Sequence, residues 1–258
     1  QTLKYVNIST NALSGVLKAE TLPRKLTEFF AHRNNLEGKI DAQHLPPELR
    51  RINIDENRIF GSINFEKLPE SLLTFVSSKN RISGLVRFAR LPAQLKKVYV
   101  SFNEIEGSLD LNEFPPSLED VSFQNNSLTG IIELDVLPST MINVNLGKNR
   151  LVGALSLTML PDGLRRLSLG WNQFEGAIDM SHLPQNLIHL DINSNRLIGS
   201  IRLLALPKAL RWINLSNNQL SGRLDLKNIS TNVSSLDLRN NRFQETVEMT
   251  SEIHQQGH

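Results

Sequence analysis

Two residues in the second half of the chain, His189 and Asp191, have the types and spacing of an acid–base pair. On an extended strand, side chains two residues apart project from the same face, so imidazole and carboxylate can meet there. A hydrolytic triad also needs a nucleophile, and the six histidines follow no H-E-x-x-H or G-x-S-x-G motif. We therefore expect His189 and Asp191 to pair at the surface, and we expect no enzyme activity.

Cation binding is a second chemistry that the sequence brings up. Six carboxylates are separated by multiples of 23 residues, namely Asp41, Asp110, Glu133, Asp179, Asp225 and Glu248. Calcium takes six to eight oxygen ligands, whereas basic residues such as Lys18, Arg87 and Arg202 interrupt this series. The sequence therefore predicts solvated turn residues here, with no metal site and no cofactor.

The interval of 23 residues extends along almost the whole chain. One asparagine recurs at this interval without insertion or deletion, at Asn11, Asn34, Asn57, Asn80, Asn103, Asn126, Asn149, Asn172, Asn195, Asn218 and Asn241. We number positions in each unit from this asparagine, n. Apolar residues dominate n−5, n−3, n+2, n+6, n+8 and n+11, glycine occupies n+4 in ten units, and proline occupies n+12 in nine. Such self-similarity predicts a stack of eleven equivalent units.

Each recurrent position has a physical reason. The alternation of apolar and polar residues around n−5 to n−3 predicts a short strand with one buried face, and stacked units would align these strands in parallel. A coil that turns away from its strand leaves backbone groups to be paired inside, and an asparagine amide can both donate and accept. Glycine at n+4 suits a turn with positive φ, and proline at n+12 suits a segment outside the ladder.

The unit L-x-x-L-x-L-x-x-N-x-L, as in residues 210–220, resembles the leucine-rich-repeat family. The L-x-G-x-I/L that follows resembles its plant-type and protist subclasses, and the Leu-Pro-x-x-Leu link at 160–164 resembles protist repeats. The resemblance implies an α/β repeat fold, a curved right-handed solenoid with a parallel β-sheet on its concave face and little regular helix on its convex side.

The repeat also sets the expected domain organisation. Residues 1–249 form a single domain of eleven 23-residue units, and residues 250–258 form a polar C-terminal tail. The pattern weakens near the end, where Glu245 replaces the n+4 glycine and Ile229-Ser230 replaces the Leu-Pro link. Because the first unit starts without a capping segment, we expect the chain to be a piece of a longer protein.

Composition excludes several partners. The net charge is only +2, from 28 basic and 26 acidic residues, so charge alone would not recruit a nucleic acid. No apolar run is long enough for a membrane helix, so we expect no direct membrane insertion. The absence of cysteine favours a reducing, intracellular compartment without excluding a cell-surface or secreted ectodomain. The oligomeric state stays open.

In this family the positions n−6, n−4, n−2 and n−1 project from the concave sheet. They hold both tryptophans and both tyrosines of the chain, and exposed aromatic and arginine side chains dominate binding energy at interfaces. Our candidate partner-binding residues are Tyr5, Phe30, Arg33, Val76, Lys97, Tyr99, Phe102, Arg166, Trp171, His189, Asp191, Trp212, Asn214 and Asp237. The alternative interpretation is that some of these rings only shield sheet backbone.

Small polar residues occupy n−4 in the later units, as Ser122, Asn145, Ser168, Asp191, Asn214 and Asp237. Such a lane could hydrogen-bond an extended peptide, although exposed strand positions are polar in most soluble proteins. We therefore predict a protein-interaction module that binds a protein or extended peptide through the concave sheet. The alternative is a ligand- or substrate-recognition domain of a larger receptor or ubiquitin ligase, and an enzyme is the remote third hypothesis.

Overall fold

The computed structural model describes residues 2–85, 88–226 and 229–244. It consists of two eleven-stranded, entirely parallel sheets in which each unit contributes one strand to each sheet. No α-helix occurs among the described residues, and the other regular elements are five short 3₁₀ turns. The predicted solenoid with parallel strands and little helix is therefore confirmed.

Strands are numbered in chain order, so odd numbers belong to the first sheet and even numbers to the second. The first sheet contains β1 (Tyr5–Asn7), β3 (Glu28–Phe30), β5 (Arg51–Asn53), β7 (Thr74–Val76), β9 (Lys97–Tyr99), β11 (Asp120–Ser122), β13 (Asn143–Asn145), β15 (Arg166–Ser168), β17 (His189–Asp191), β19 (Trp212–Asn214) and β21 (Ser235–Asp237). These strands lie where the alternating pattern predicts them.

The second sheet contains β2 (Ser14–Val16), β4 (Asn35–Gly38), β6 (Arg58–Gly61), β8 (Arg81–Leu85), β10 (Glu104–Ser108), β12 (Ser127–Ile131), β14 (Arg150–Ala154), β16 (Gln173–Ala177), β18 (Arg196–Gly199), β20 (Gln219–Gly222) and β22 (Arg242–Phe243). The 3₁₀ turns are Ala19–Thr21, Ala42–His44, Phe65–Lys67, Leu111–Glu113 and Leu134–Val136. The sequence analysis did not predict this second sheet. Its strands include the n+4 glycine, a residue that normally weakens a strand.

The glycine at n+4 has positive φ in all ten units that carry it, between 76° and 100°. Each one also lies under the n+5 side chain of the preceding unit. A Cβ added to Gly38 would come within 2.7 Å of Val16, and one added to Gly107 within 2.9 Å of Leu85. The second sheet therefore needs glycine for both backbone conformation and clearance.

The core lies between the two sheets and is built from the apolar columns of all units. Its largest aromatic group joins five phenylalanines from neighbouring units, with ring centroids 5.2 to 5.8 Å apart, namely Phe65, Phe75, Phe88, Phe114 and Phe123. The remaining columns are mainly leucine, isoleucine and valine. Because every strand pairs in register with the residue 23 positions away, identical positions stack into these continuous columns.

The n asparagines form the hydrogen-bonded ladder that the sequence predicts. In Asn149, Nδ2 donates to the carbonyl of Leu146 in its own unit and to that of Phe123 in the preceding unit, both at 3.0 Å. Its Oδ1 accepts the Leu128 N–H of the preceding unit, also at 3.0 Å. The bonds to the preceding unit recur from Asn34 to Asn241.

The acids at n+7 serve as local caps. Asp41 and Asp110 each accept a backbone N–H from the 3₁₀ turn that follows, and a hydrogen bond from His44 lowers the pKa of Asp41. Within the described ranges, no group of three or more histidine or acidic side chains has metal-binding geometry. Glu248 and Arg87 lie outside the described residues.

Replacing a central ladder asparagine should destabilise the protein far more than replacing the first one. Asn149→Ala leaves the buried Leu128 N–H and two carbonyls without this partner, so we expect a loss of about 3 kcal/mol in the free energy of unfolding. Asn11→Ala is the matched control, since Asn11 donates only within its own unit. Urea unfolding followed by circular dichroism measures both. Equal losses would contradict a ladder that acts between units.

Candidate functional site

The candidate site is the outer face of the first sheet, formed by the n−6, n−4, n−2 and n−1 columns. All fourteen predicted binding residues lie in these columns. They do not form one cluster, because Tyr5 lies on β1 and Asp237 on β21, the two edge strands. The surface is therefore long and shallow rather than a pocket.

A hydrogen-bonded row crosses the middle of this face. Burial and a hydrogen bond to Asp120 raise the pKa of Tyr99. Asp120 also accepts a 2.8 Å hydrogen bond from the Asn143 amide, and Arg166 donates to the Asn143 carbonyl oxygen at 3.4 Å. The row thus links four adjacent strands, from β9 to β15, and fixes how Arg166 is presented.

The row continues with His189 and Trp212 on the next two strands. Their rings are stacked in parallel, with centroids 4.0 Å apart and planes within 1°. Burial, and secondly the charge of Arg166, lower the pKa of His189. The predicted pairing of His189 with Asp191 is not seen among the described contacts, because Asp191 accepts the backbone N–H of Asn193 instead.

Phe102 and Trp171 are the exposed aromatic residues of the n−1 column, with 41% and 59% of their surface accessible. Every residue at n−1 has a left-handed backbone, with φ from 51° to 60°. This turn leads the chain out of the first sheet while the Phe102 N–H still donates to Gln124 of the next unit. A bulky residue in this conformation costs of order 1 kcal/mol, so these two rings occupy positions where asparagine would be less strained.

At the beginning of the sheet, Tyr5 and Phe30 form a tilted ring pair with centroids 5.7 Å apart. Tyr5 is 54% exposed, whereas Phe30 is partly covered. Here the rings cover one another across adjacent strands, as the shielding interpretation expects.

Two predicted residues offer little surface. Val76 is only 8% exposed and Asn214 only 9%, because in a parallel sheet the neighbouring side chains cover the n−4 column. Their selection as exposed contacts was wrong. The polar n−4 lane is also partly occupied, since Asn145, Asn214 and Asp237 each accept the backbone N–H two residues later.

Most cations of this face are neutralised locally. Glu56 pairs with Arg33 at 3.5 Å and with Lys79 at 3.0 Å. Arg51 pairs with Glu28 at 3.2 Å, as Arg239 does with Asp237 at 2.7 Å. Lys97 lies beside Asp120 in the strand register. Arg33 is thus one partner in a surface ion network, which weakens its case as a specific contact.

Sequence reasoning missed five residues of this face: Asp55, Gly147, Lys148, Gly170 and Asn193. Lys148 lies 5.9 Å above the Trp171 ring centroid. Gly147 and Gly170 are the two glycines of the n−2 column, and that pair was a visible signal. Asn193 and Asp55 gave no sequence signal, because their burial depends on neighbouring units.

Comparison with known proteins supports the repeat assignment. The Leucine Rich Repeat family model matches residues 209–229, and no curated protein sequence matches the chain. The structure resembles PEPR1–AtPEP1 (TM-score 0.71, 26% identity, 93% of this chain and 39% of that one). It also resembles the Arabidopsis receptor kinase HAESA in complex with the peptide hormone IDA and the co-receptor SERK1 (0.67, 24%, 94% and 46%) and a plant ice-binding protein (0.64, 19%, 88% and 77%).

These findings define the class: the chain is a leucine-rich-repeat solenoid. Its 23-residue unit is consistent with the plant-type subclass, whereas the likeness of the Leu-Pro link to protist repeats stays a prediction. The chain spans about half or less of the length of the receptor chains it resembles. No helix in the described ranges is long and apolar enough to cross a membrane.

Removing the charge of Arg166 should raise the pKa of His189. The charged groups nearest the imidazole in this row are Arg166 on β15 and Asp191 on its own strand, and the guanidinium disfavours protonation. Arg166→Gln keeps a donor for Asn143 but removes the repulsion. A histidine Cε1–H titration by NMR measures the change, with Arg51→Gln as a control on the same sheet. An unchanged His189 titration would contradict the coupling.

Asp55 should make stability depend on pH. Burial raises the pKa of Asp55 to about 6, so the folded state holds this proton more tightly than the unfolded state and loses stability as pH rises from about 4 to 6. Allowing for solvent screening, Asp55→Asn should gain roughly 1 kcal/mol at pH 7.5 and little at pH 4.

The adjacent Glu56 is the control with opposite sign. Hydrogen bonding to Lys79 lowers the pKa of Glu56, so its contribution is present above its unfolded pKa and is lost at lower pH. Glu56→Gln should therefore reduce stability at pH 7.5. Urea unfolding at both pH values tests the pair, and a gain from Asp55→Asn that is equal at pH 4 and 7.5 would contradict the assignment.

Proposed function

We propose that this solenoid is a protein-interaction module and that its partner, a protein or an extended peptide, binds the outer face of the first sheet. The observation that carries the proposal is the exposure of Trp171 and Phe102 on this face, in a backbone conformation that disfavours bulky side chains. Strain of this kind is concentrated at functional sites, and large rigid rings bury much area with few torsions to freeze.

The form of the face favours a macromolecular partner. It crosses eleven strands, which at about 4.8 Å per strand gives a length of roughly 48 Å. A small molecule needs a concave pocket that surrounds it, whereas an extended chain can follow such a row of side chains. The same arrangement serves the alternative, a recognition domain within a longer receptor or ligase.

Known structures of similar fold support this choice. The HAESA and PEPR1 structures are leucine-rich-repeat proteins, and the first is described in complex with a peptide hormone and a co-receptor. A leucine-rich-repeat solenoid is typically a binding scaffold. The described residues bring together no acid, base and nucleophile, since Asp191 and His189 hold separate partners.

The test replaces the two strained rings by the residue that the fold itself uses at n−1. Phe102→Asn with Trp171→Asn preserves the left-handed turn, because Asn125, Asn217 and Asn240 occupy the same position elsewhere. The matched control is Phe60→Ser with Leu85→Ser, which removes two exposed apolar side chains from the second sheet. Serine already occurs in both columns, at Ser83 and Ser62.

Affinity capture from the source cells, followed by binding measurements on purified partners, compares the two variants with the unchanged protein. We expect a partner retained by the control and weakened at least about tenfold by the first-sheet variant. Circular dichroism must show that both variants are folded. Partners lost by the control and kept by the first-sheet variant would move the interface to the second sheet.

A further inference from the structure

We infer that units seven to ten of the first sheet, whose n asparagines are Asn149 to Asn218, bind an extended peptide segment through its aspartate or glutamate side chains. This inference rests on the proposed function and specifies the chemistry of the partner. It is carried by unpaired cations, a glycine-lined groove and an amide without a hydrogen bond, all within the same four units.

The first observation is charge. Positions n−7 to n−1 of these units, residues 142–148, 165–171, 188–194 and 211–217, contain the cations Lys148, Arg165, Arg166 and Arg211 but only one carboxylate, Asp191. Burial raises the pKa of Asp191, which further reduces the negative charge here. No described carboxylate pairs with Lys148 or Arg166, in contrast to Arg33, Arg51 and Lys79 on the earlier strands. Unpaired cations on one face attract carboxylates without breaking an existing ion pair.

The second observation is shape. Gly147 and Gly170 are buried and occupy adjacent n−2 positions, so no side chain rises between the n−6 and n−1 columns at this place. Trp171 and Lys148 border the gap on one side, and Arg166 is in the column on the other. We call this gap the glycine groove. Four strands span roughly 14 Å along it, enough for about four residues of extended chain.

The third observation is an unused polar group in the groove. Asn193 Oδ1 is buried and has no hydrogen-bond partner among the described residues. It lies directly over Gly170, where an added Cβ would be only 2.2 Å from this oxygen. Turning the Asn193 amide toward a peptide N–H therefore breaks no hydrogen bond and satisfies a buried acceptor. An extended peptide supplies such donors at regular intervals.

A peptide fits these features better than a nucleic acid. A nucleic acid carries one charge per nucleotide, and its binding depends on many phosphate contacts, whereas these four units contain four cations on a chain of net charge +2. A peptide with one or two carboxylates matches Lys148 and Arg166. It would also place apolar side chains against Trp171 and the stacked His189–Trp212 pair.

The experiment selects phage-displayed random dodecapeptides on the whole protein and measures enriched sequences as fluorescein-labelled peptides by anisotropy. Acetylated and amidated termini leave only side-chain charges. The test variant is Lys148→Gln with Arg166→Gln, and the control is Arg58→Gln with Arg81→Gln, which removes the same charge from exposed positions on the second sheet. Trp171→Asn reports separately on the proposed binding face.

We expect the selected peptides to be enriched in aspartate and glutamate. Their Asn/Gln counterparts, and the Lys148/Arg166 variant, should bind at least about tenfold more weakly, with the control within about twofold. Affinity should also fall as sodium chloride rises from about 50 to 300 mM.

Several outcomes would overturn the inference: no selected peptide, no acidic enrichment, or equal binding by the charge variant and its control. Loss of binding in Trp171→Asn together with full binding in the charge variant would reject the acidic preference and keep the proposed function. Full binding in all variants would reject both. An oligothymidylate octamer that binds more tightly than the peptides and competes with them would replace the peptide by a nucleic acid.

Discussion

The structure depends on one interaction, the hydrogen bonding of a buried asparagine amide to the unit that precedes it. A coil of 23 residues cannot pair its own inward-facing backbone groups, and leaving them unpaired would cost more than a domain's net stability can supply. The asparagine meets this need with three bonds, as at Asn149. Because those bonds reach a fixed distance, the period cannot vary, and all columns of the core and both sheets inherit the same register.

The sequence predicted the first sheet, the ladder and the apolar columns, because each depends on residue types that recur at one position. It failed for the second sheet, whose strands combine a glycine with variable residues at n+3 and n+5. That sheet forms because identical positions already stack in register, and no single unit shows this. Selecting Val76 and Asn214 failed for a related reason: sequence shows which face a side chain takes, whereas its exposure depends on the neighbouring strands.

The two faces of the array differ in how they can vary. At n−1 the backbone is left-handed whatever the side chain, from Thr10 and Glu56 to Trp171, so the fold accepts many residues there at a modest cost in strain. At n+4 it accepts almost only glycine, since a Cβ would meet the preceding unit. Chemical diversity is therefore concentrated on the first sheet, where the tyrosine-to-tryptophan row links residues of six strands.

The direction of the ladder makes the two ends of any such array different. Each asparagine reaches back to the preceding unit, as Asn34 does to Leu13 and Ile8, so one end presents an amide with no unit to reach and the other presents a free N–H and carbonyl. These ends are complementary to one another. Without capping segments, separate molecules could join head to tail into open filaments, which makes polarity a property against which the termini of every such solenoid must be protected.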